Sequence, residues 1–216
     1  VLNYVWIKKM KDSITDTIED IIKIDYELEK KLINKQNLIN NFIFICYLLG
    51  NDFLPHLPSL NISKNGLDYL LELNFKNLVK NKYEYMINLK SKEKINQKIF
   101  NQLIEKLAKE EDNIISEMYS KKKKRYHSNS NDPYEKELHK IENLMFKIKD
   151  PIKLGSDKSE LWEKRYYNHY FHTQDTELKN FKKHISEQYL IGLKWVTMYY
   201  FEKCPAWKWY FPYDHP

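Results

Sequence analysis

Apolar side chains recur every three or four residues along most of this chain, which is the spacing that one face of an α-helix requires. This pattern predicts amphipathic helices from Thr15 to Leu32, from Ile95 to Met118 and from Pro133 to Ile148. Another helix is predicted from Ser63, a residue type that often caps a helix, to Leu73. The chain is therefore predicted to be mostly α-helical.

Two segments have patterns of their own. The segment from Asn37 to Leu49 is apolar on nearly every face, which predicts a buried helix. Near the C-terminus, an apolar stripe predicts a long helix that is capped by Thr176 and ends before Pro205. The aromatic-rich stretch SELWEKRYYNHYF lies before that helix and also fits an amphipathic helix, with Trp162 and Tyr166 buried.

A basic and polar run from Lys121 to Pro133 interrupts the helical pattern. Consecutive like charges repel one another, and the polar residues that follow offer nothing to bury, so this run is predicted to be a loop. A solvated surface loop is the simplest interpretation. A contact with nucleic acid and a nuclear-import signal are the alternatives.

Composition narrows the possible functions only a little. The net charge of +6 and the pI near 8.9 fit a polyanionic partner, but a lysine-rich proteome would give the same values. Only 4 of the 216 residues are glycine, and no glycine-rich phosphate loop is present. Two distant cysteines indicate neither a disulfide framework nor a zinc site. No membrane span or signal peptide is visible, and the start at Val1 suggests a piece of a larger polypeptide.

The stretch GNDFLPHLP follows the most apolar predicted helix. Asp52 lies in it, and Pro55 and Pro58 stiffen the chain behind this residue. His56 adds another polar group to the same apolar junction. The aspartate either bonds the backbone of its own turn or offers a rigid, half-buried carboxylate to a hard cation such as Mg²⁺ or Mn²⁺. The residue pattern alone leaves both interpretations open.

The C-terminal tail CPAWKWYFPYDHP is rich in aromatic residues. If it is extended, Trp207 and Trp209 lie on one side and Lys208 on the other. Such tryptophans can stack on nucleic-acid bases, but they can equally fill a core and fasten the last helix. Arg165 raises the same choice between a phosphate contact and a helix surface.

Four stretches of the chain carry a resemblance to a known family: FIFICYLLGNDFLPHLPSLNISKNGLDYLLEL, IFNQLIEKLAKEEDNII, KLGSDKSELWEKRYYNHYF and GLKWVTMYYFEKCPAWKWYFPYDHP. In this order they resemble the XRN family of 5′→3′ exoribonucleases. The resemblance covers nearly the whole chain and is weakest between Lys121 and Asp150. The combination of GNDFLPHLPSL with CPAWKWYFPY is its most specific part.

The resemblance implies a fold and a division of the chain. The fragment should be the helical half of an α/β nuclease domain similar to the PIN and flap nucleases, with its central sheet largely upstream. Residues 1–120 resemble the C-terminal part of the first conserved nuclease region. Residues 121–133 would be the basic loop, and residues 134–216 the second conserved region with its Trp- and Tyr-rich tail.

The resemblance also implies a function, which is metal-dependent hydrolysis of RNA bearing a 5′-monophosphate. Asp52 matches the last member of the acidic cluster that holds Mg²⁺ or Mn²⁺ in the family, and the other acids would come from the remainder of the nuclease domain. A tryptophan of the second region stacks on the terminal base in the family, so Trp207 and Trp209 are candidates for RNA binding. Asn51, His56 and Arg165 complete the predicted RNA-binding residues.

Partners and location follow only from the resemblance. A nuclear Rat-type member is favoured over a cytoplasmic one, and a Rat-type enzyme would imply a pyrophosphohydrolase or decapping-type protein partner. Asn40 and Asn41 depart from the family, which commonly carries two acidic residues there. A non-catalytic RNA-binding or scaffold relative therefore remains an alternative. A flap-type DNA nuclease is a second alternative, because a similar Gly-x-Asp turn holds metal in such enzymes. The isolated fragment is not expected to be active.

Overall fold

The structure is a computed structural model and describes residues 4–26, 34–62, 65–82, 84–124, 130–142, 151–157 and 159–216. These residues are mostly helical, as the sequence predicts, and their only strand-like pairing is an isolated antiparallel bridge between Ile87 and Ile95. The helices are α1 (Ile7–Tyr26), α2 (Lys35–Tyr47), α3 (Gly66–Lys80), α4 (Gln97–Lys124), α5 (Pro133–Glu142), α6 (Ser159–Phe171) and α7 (Leu178–Phe201).

Several helix ends differ from the predicted ones. Helix α3 begins at Gly66 after Asn65, which adopts a left-handed conformation with φ of 63°, and it continues to Lys80 rather than Leu73. The predicted cap Ser63 and the predicted end of the first helix lie outside the described residues. Apolar spacing locates the middle of a helix better than its ends, because the ends depend on local capping.

The predicted loop at residues 121–133 is wrong at its start, since α4 continues to Lys124. Residues 125–129 lie outside the described part of the chain. A run of lysines can extend a helix because lysine is a good helix former and its charge is favourable near a helix C-terminus. The last helix also begins two residues after the predicted cap, Thr176, and ends four residues before Pro205.

The chain divides into two compact units. The first combines Val1–Leu107 with Glu187–Pro216. One of its clusters joins α1, α2 and α3 through the buried side chains of Ile18, Leu38, Phe75 and Leu78. Helix α3 is linked to α4 by the Asn77 side-chain amide, which donates to the carbonyl of Ile99 at 3.0 Å.

The second unit consists of Ala108–Ser186. Its core contains Ile115, Ile152, Trp162 and Tyr166, so the predicted burial of both aromatic residues in α6 is confirmed. The glycine of the KLGSD turn, Gly155, lies so close to α4 that a Cβ there would come within 2.6 Å of the carbonyl oxygen of Ile115.

In the described part of the chain, no helix is both long enough and apolar enough to cross a membrane. Cys46 and Cys204 are free thiols.

Candidate functional site

The candidate site is the turn that follows α2. After Tyr47 the chain makes a short series of turn hydrogen bonds, of which the last runs from the Gly50 N–H to the Tyr47 carbonyl at 3.1 Å. Gly50 has a φ of 92°, and a Cβ there would lie 3.2 Å from the backbone nitrogen of His56. Glycine suits this position because it tolerates both the positive φ and the close approach.

The side chain that holds the turn together is Asn51. Its Oδ1 accepts hydrogen bonds from the backbone N–H groups of Phe53 at 2.9 Å and Leu54 at 3.2 Å. Its own N–H donates to the Leu54 carbonyl at 3.0 Å. This is the local bonding that Asx residues favour in turns. The structure therefore gives the turn chemistry to Asn51 and not to its neighbour Asp52.

Asp52 is exposed, so the prediction of a half-buried carboxylate is wrong. Among the described residues, none forms a hydrogen bond or an ion pair with this side chain. The reason is geometric, since Asn51 already occupies the backbone donors of the turn and leaves Asp52 pointing outward. An unpaired carboxylate on a fixed turn has the hard oxygen atoms that Mg²⁺ and Mn²⁺ prefer.

Asp52 does not form a complete metal site with the described residues. No group of three or more histidine, cysteine, aspartate or glutamate side chains in that part of the chain could hold a metal ion. The donor chemistry of Asp52 thus fits one position of a hard-cation site. Any further ligands would have to come from elsewhere.

Phe53 packs its ring among three aromatic rings of α7. The ring centroids are 4.9 Å from Trp195, 4.9 Å from Tyr199 and 6.3 Å from Tyr200, all in edge-to-face arrangements. Edge-to-face pairs at such distances are the favourable geometry for aromatic rings. Phe53 therefore fixes the turn that carries Asp52 against α7.

Trp195 is the centre of this aromatic group. Its ring stacks on Tyr199 at 5.2 Å and on Trp209 at 5.0 Å, and its indole N–H donates to the carbonyl of Ala206 at 3.0 Å. These contacts tie the C-terminal tail to α7.

Gly192 lies one helical turn before Trp195. A Cβ at this position would come within 2.6 Å of the Leu54 side chain and 3.1 Å of the Trp209 ring. The absence of a side chain thus lets the turn and the tail meet on one face of α7.

His56 and its neighbours complete the turn. His56 is exposed, and its Nδ1 donates to the carbonyl of Leu57 at 2.9 Å because a carbonyl oxygen can only accept. The Tyr189 hydroxyl donates to the carbonyl of Pro55 at 3.0 Å, which is a second connection between the turn and α7.

The two tail tryptophans have different surroundings. Trp207 is 87% exposed, whereas Trp209 is partly buried and stacks on Trp195. The condition under which both rings would share one side, an extended tail, is not met, because the chain turns at these residues and the Trp209 N–H donates to the Ala206 carbonyl at 3.3 Å. The packing interpretation fits Trp209, whereas the exposed ring of Trp207 is accessible for contact with another molecule.

Arg165 belongs to the second unit. Its Nε donates to the carbonyl of Ile152 at 2.7 Å, and its guanidinium forms an ion pair with Asp157 at 2.7 Å. Both bonds fasten the loop after residue 150 to α6. An RNA contact by Arg165 stays a prediction, and the structure adds a structural role.

Asn40 and Asn41, which the sequence resemblance singled out as a departure, are 3% and 1% exposed. The Oδ1 of Asn41 accepts a hydrogen bond from the Ile87 N–H at 3.0 Å, and that of Asn40 accepts one from the Gln36 side chain at 2.9 Å. They are therefore interior residues with packing partners and do not form a surface pair.

Burial and charge around the turn also affect its tyrosines. Partial burial raises the pKa of Tyr200, and the negative charge of Asp52 raises it further. The pKa of Tyr47, whose ring stacks on Tyr200 at 5.3 Å, is raised mainly by burial.

Sequence reasoning missed Phe53, Trp195 and Tyr199 as parts of this site. The spacing of Trp195 and Tyr199, four residues apart on one helix, is the signal that could have found them.

A comparison with known families gives one match over nearly the whole chain. The family model described as the Xrn1 helical domain matches residues 32–147 and 129–216. The chain belongs to the XRN family. The mostly helical structure is consistent with this helical domain.

Members of the XRN family are also found among individual relatives. The chain is 25% identical over 255 aligned positions to a protein of Drosophila melanogaster named 5′-3′ exoribonuclease 2 homolog. This alignment covers 98% of the chain and 27% of the relative. Proteins named 5′-3′ exoribonuclease 2 are 45% identical over 65 residues in Candida albicans and 37% identical over 54 residues in Yarrowia lipolytica. These two matches cover 28% and 25% of this chain, and 7% and 5% of the relatives. The chain thus spans about a quarter of the Drosophila relative's length.

Proposed function

We propose that this chain is part of a 5′→3′ exoribonuclease that degrades RNA bearing a 5′-monophosphate. One observation carries the proposal: Asp52 is an exposed, unpaired carboxylate on a rigid turn, in a chain of the XRN family. The relatives named as 5′-3′ exoribonucleases support the same activity.

In this proposal Asp52 supplies one oxygen ligand to Mg²⁺ or Mn²⁺. If held there, such an ion would supply Lewis-acid chemistry at the scissile phosphate and would activate the attacking water. The remaining ligands come from outside the described residues, which contain no complete metal-binding group. The 216-residue chain by itself is accordingly expected to be inactive.

The RNA contact is assigned to the tail. Trp207 is the better candidate for stacking on a base, because its ring is almost fully exposed while that of Trp209 is stacked on Trp195. Stacking on a base is tolerant of sequence, which suits an enzyme that removes every nucleotide in turn. The Oδ1 of Asn51 is occupied by the turn and its amide nitrogen is buried, so this residue is assigned to holding the turn and not to a direct contact with RNA.

The experiment uses the full-length protein with Mg²⁺ or Mn²⁺ and compares 5′-monophosphate RNA with 5′-hydroxyl RNA. We expect selective shortening of the phosphorylated substrate. Asp52→Asn should lower the rate about a hundredfold or more, since a metal ion supplies several kcal/mol of transition-state stabilisation. Asp12→Asn is the matched control, because Asp12 is an exposed aspartate on α1.

Other outcomes would point to the alternatives. RNA that binds without being shortened would favour a non-catalytic scaffold, for which the neutral Asn40 and Asn41 are the motivating observation. Faster cleavage of a DNA flap than of phosphorylated RNA would favour a flap nuclease. Wild-type activity in Asp52→Asn would show that this carboxylate is not needed as a metal ligand.

A further inference from the structure

We propose that Phe53 is a positioning residue for Asp52, held by an aromatic brace that we define as the rings of Phe53, Trp195, Tyr199 and Tyr200. The inference rests on the proposed function, because it assumes that Asp52 binds a metal ion. According to this inference, aromatic residues of α7 help to orient the Asp52 carboxylate, which lies far from this helix in the sequence.

The first step concerns what orients Asp52. Its side chain has no hydrogen bond or ion pair among the described residues, so nothing bonded to the carboxylate fixes its direction. The backbone on either side instead sets the direction of its Cα–Cβ bond, and thereby the region that the carboxylate can reach. On one side Asn51 holds the N–H groups of the two residues after Asp52, and on the other the Phe53 ring is anchored.

The second step concerns the rigidity of that anchor. Phe53 contacts three rings at centroid distances between 4.9 and 6.3 Å, so a rotation of its side chain would break several contacts at once. Trp195 is 9% exposed, is stacked on Tyr199 and Trp209, and has its indole N–H bonded to Ala206. The brace is therefore fixed to both α7 and the tail.

The third step links rigidity to metal binding. Mg²⁺ demands near-ideal ligand geometry, and residues that orient a metal ligand commonly alter metal affinity or activity about 10–100-fold when they are changed. Without the Phe53 ring, the Asp52 carboxylate would be chemically unchanged. The turn that carries it would be less fixed, so the carboxylate could point in several directions. The carboxylate would then have to be ordered at the moment the ion binds, which weakens binding.

The test measures metal binding directly in the full-length protein. Addition of Mn²⁺ should raise the thermal unfolding temperature of the wild type, because a ligand that binds only the folded state stabilises it. In Phe53→Leu the Mn²⁺ concentration for half of this shift should rise about tenfold or more. The Mn²⁺ concentration for half-maximal RNA hydrolysis should rise in parallel, while RNA affinity without metal stays at the wild-type value.

Two further variants serve as controls, one that should retain the Mn²⁺ shift and one that should lose it. Phe53→Tyr keeps the ring and its edge-to-face contacts, so it should behave like the wild type. Asp52→Asn should lose most of the shift. Circular dichroism checks that each variant folds. If Phe53→Leu is too unstable, Tyr199→Ala decides, because it removes an exposed ring of the brace and should also raise the Mn²⁺ requirement.

A folded Phe53→Leu protein with the wild-type Mn²⁺ requirement would overturn the inference, as would an unchanged requirement in Tyr199→Ala when that variant has to decide. In either case a wild-type Mn²⁺ shift that is lost in Asp52→Asn would leave the proposed function standing. A wild type that neither responds to Mn²⁺ nor shortens RNA would overturn the proposed function and the inference with it.

Discussion

Gly50, Asn51 and Asp52 are consecutive, and their surroundings differ completely. Gly50 adopts a positive φ close to His56, Asn51 bonds two backbone N–H groups, and Asp52 faces outward. Sequence reasoning identified the turn but could not divide these tasks, because asparagine and aspartate both favour turn bonding. Only the geometry shows which of the two side chains is left for another partner.

Asn41 offers a prediction at the residue scale. Asn41→Ala should lower the free energy of unfolding by about 1–3 kcal/mol, because it leaves the buried N–H of Ile87 without an acceptor. Asn41→Asp keeps an acceptor oxygen but buries a charge, so it should also be less stable than the wild type.

Urea unfolding of the purified chain measures these changes, with Asn168→Ala as the control at an exposed position. If Asn41→Ala unfolds at the same urea concentration as the wild type, the bond from Ile87 has no energetic role.

At the scale of the elements, α7 is the helix that holds the candidate site. One face of it meets the turn through Tyr189, Gly192 and Trp195. Lys194 of this helix forms an exposed ion pair with Glu93 at 2.9 Å, and an exposed pair of this kind contributes little to stability. Glu202, the residue directly after the helix, forms a partly buried ion pair with Lys94 at 2.5 Å.

Gly192→Ala tests that attachment. Alanine favours a helix over glycine by about 0.5–1 kcal/mol, but its methyl group would collide with Leu54 and Trp209, and overpacking costs about 1–3 kcal/mol. Leu54 is 2% exposed and has little room to move, so the collision should prevail and the protein should be less stable.

Thermal unfolding followed by tryptophan fluorescence measures the change. Ser186→Ala, at an exposed position of the same helix, is the control. A more stable Gly192→Ala protein would mean that the turn and the tail can move apart without cost.

The sequence predicted the elements in unequal detail. The burial of α2 and the inward face of α6 followed from apolar spacing alone, because that spacing is a property of the helix itself. The start of α3 and the extension of α4 through Lys124 did not follow, because they depend on local caps and on competing loop conformations. The alternation of Trp207, Lys208 and Trp209 carries no information on whether the tail is extended, so the turn bond to Ala206 could not be predicted from it.

At the scale of the whole molecule, both units contain tyrosines that are at least partly buried. Several tyrosines in the described part of the chain have a raised pKa, chiefly because burial disfavours the charged phenolate. They are Tyr47, Tyr85, Tyr166, Tyr167, Tyr189 and Tyr200. Because the folded state holds these protons more tightly than the unfolded state, their contribution to stability is complete below the ordinary pKa of tyrosine and is lost as the pH rises above it.

Tyr167 makes this prediction specific. Burial first, and then the charges of Glu163 and Glu111, raise its pKa from 10.0 to about 12. Between these two pH values the wild type should lose up to about 2–3 kcal/mol of unfolding free energy through this group. Tyr167→Phe should lose correspondingly less over the same interval.

Urea unfolding at a series of pH values measures the difference, and Tyr134→Phe, at a 73% exposed position, serves as the control. Equal alkaline losses in Tyr167→Phe and the wild type would show that this phenol does not titrate with unfolding.

The first unit is assembled from both ends of the chain, and this has a consequence for synthesis on the ribosome. The Tyr189 hydroxyl that bonds the Pro55 carbonyl is separated from it by 134 residues. At the usual pace of translation this distance takes about 7 to 27 s to cover. During that time the turn has been synthesised but its partners in α7 have not. Phe53 and Leu54 of the nascent chain are therefore expected to be accessible to chaperones until α7 is made.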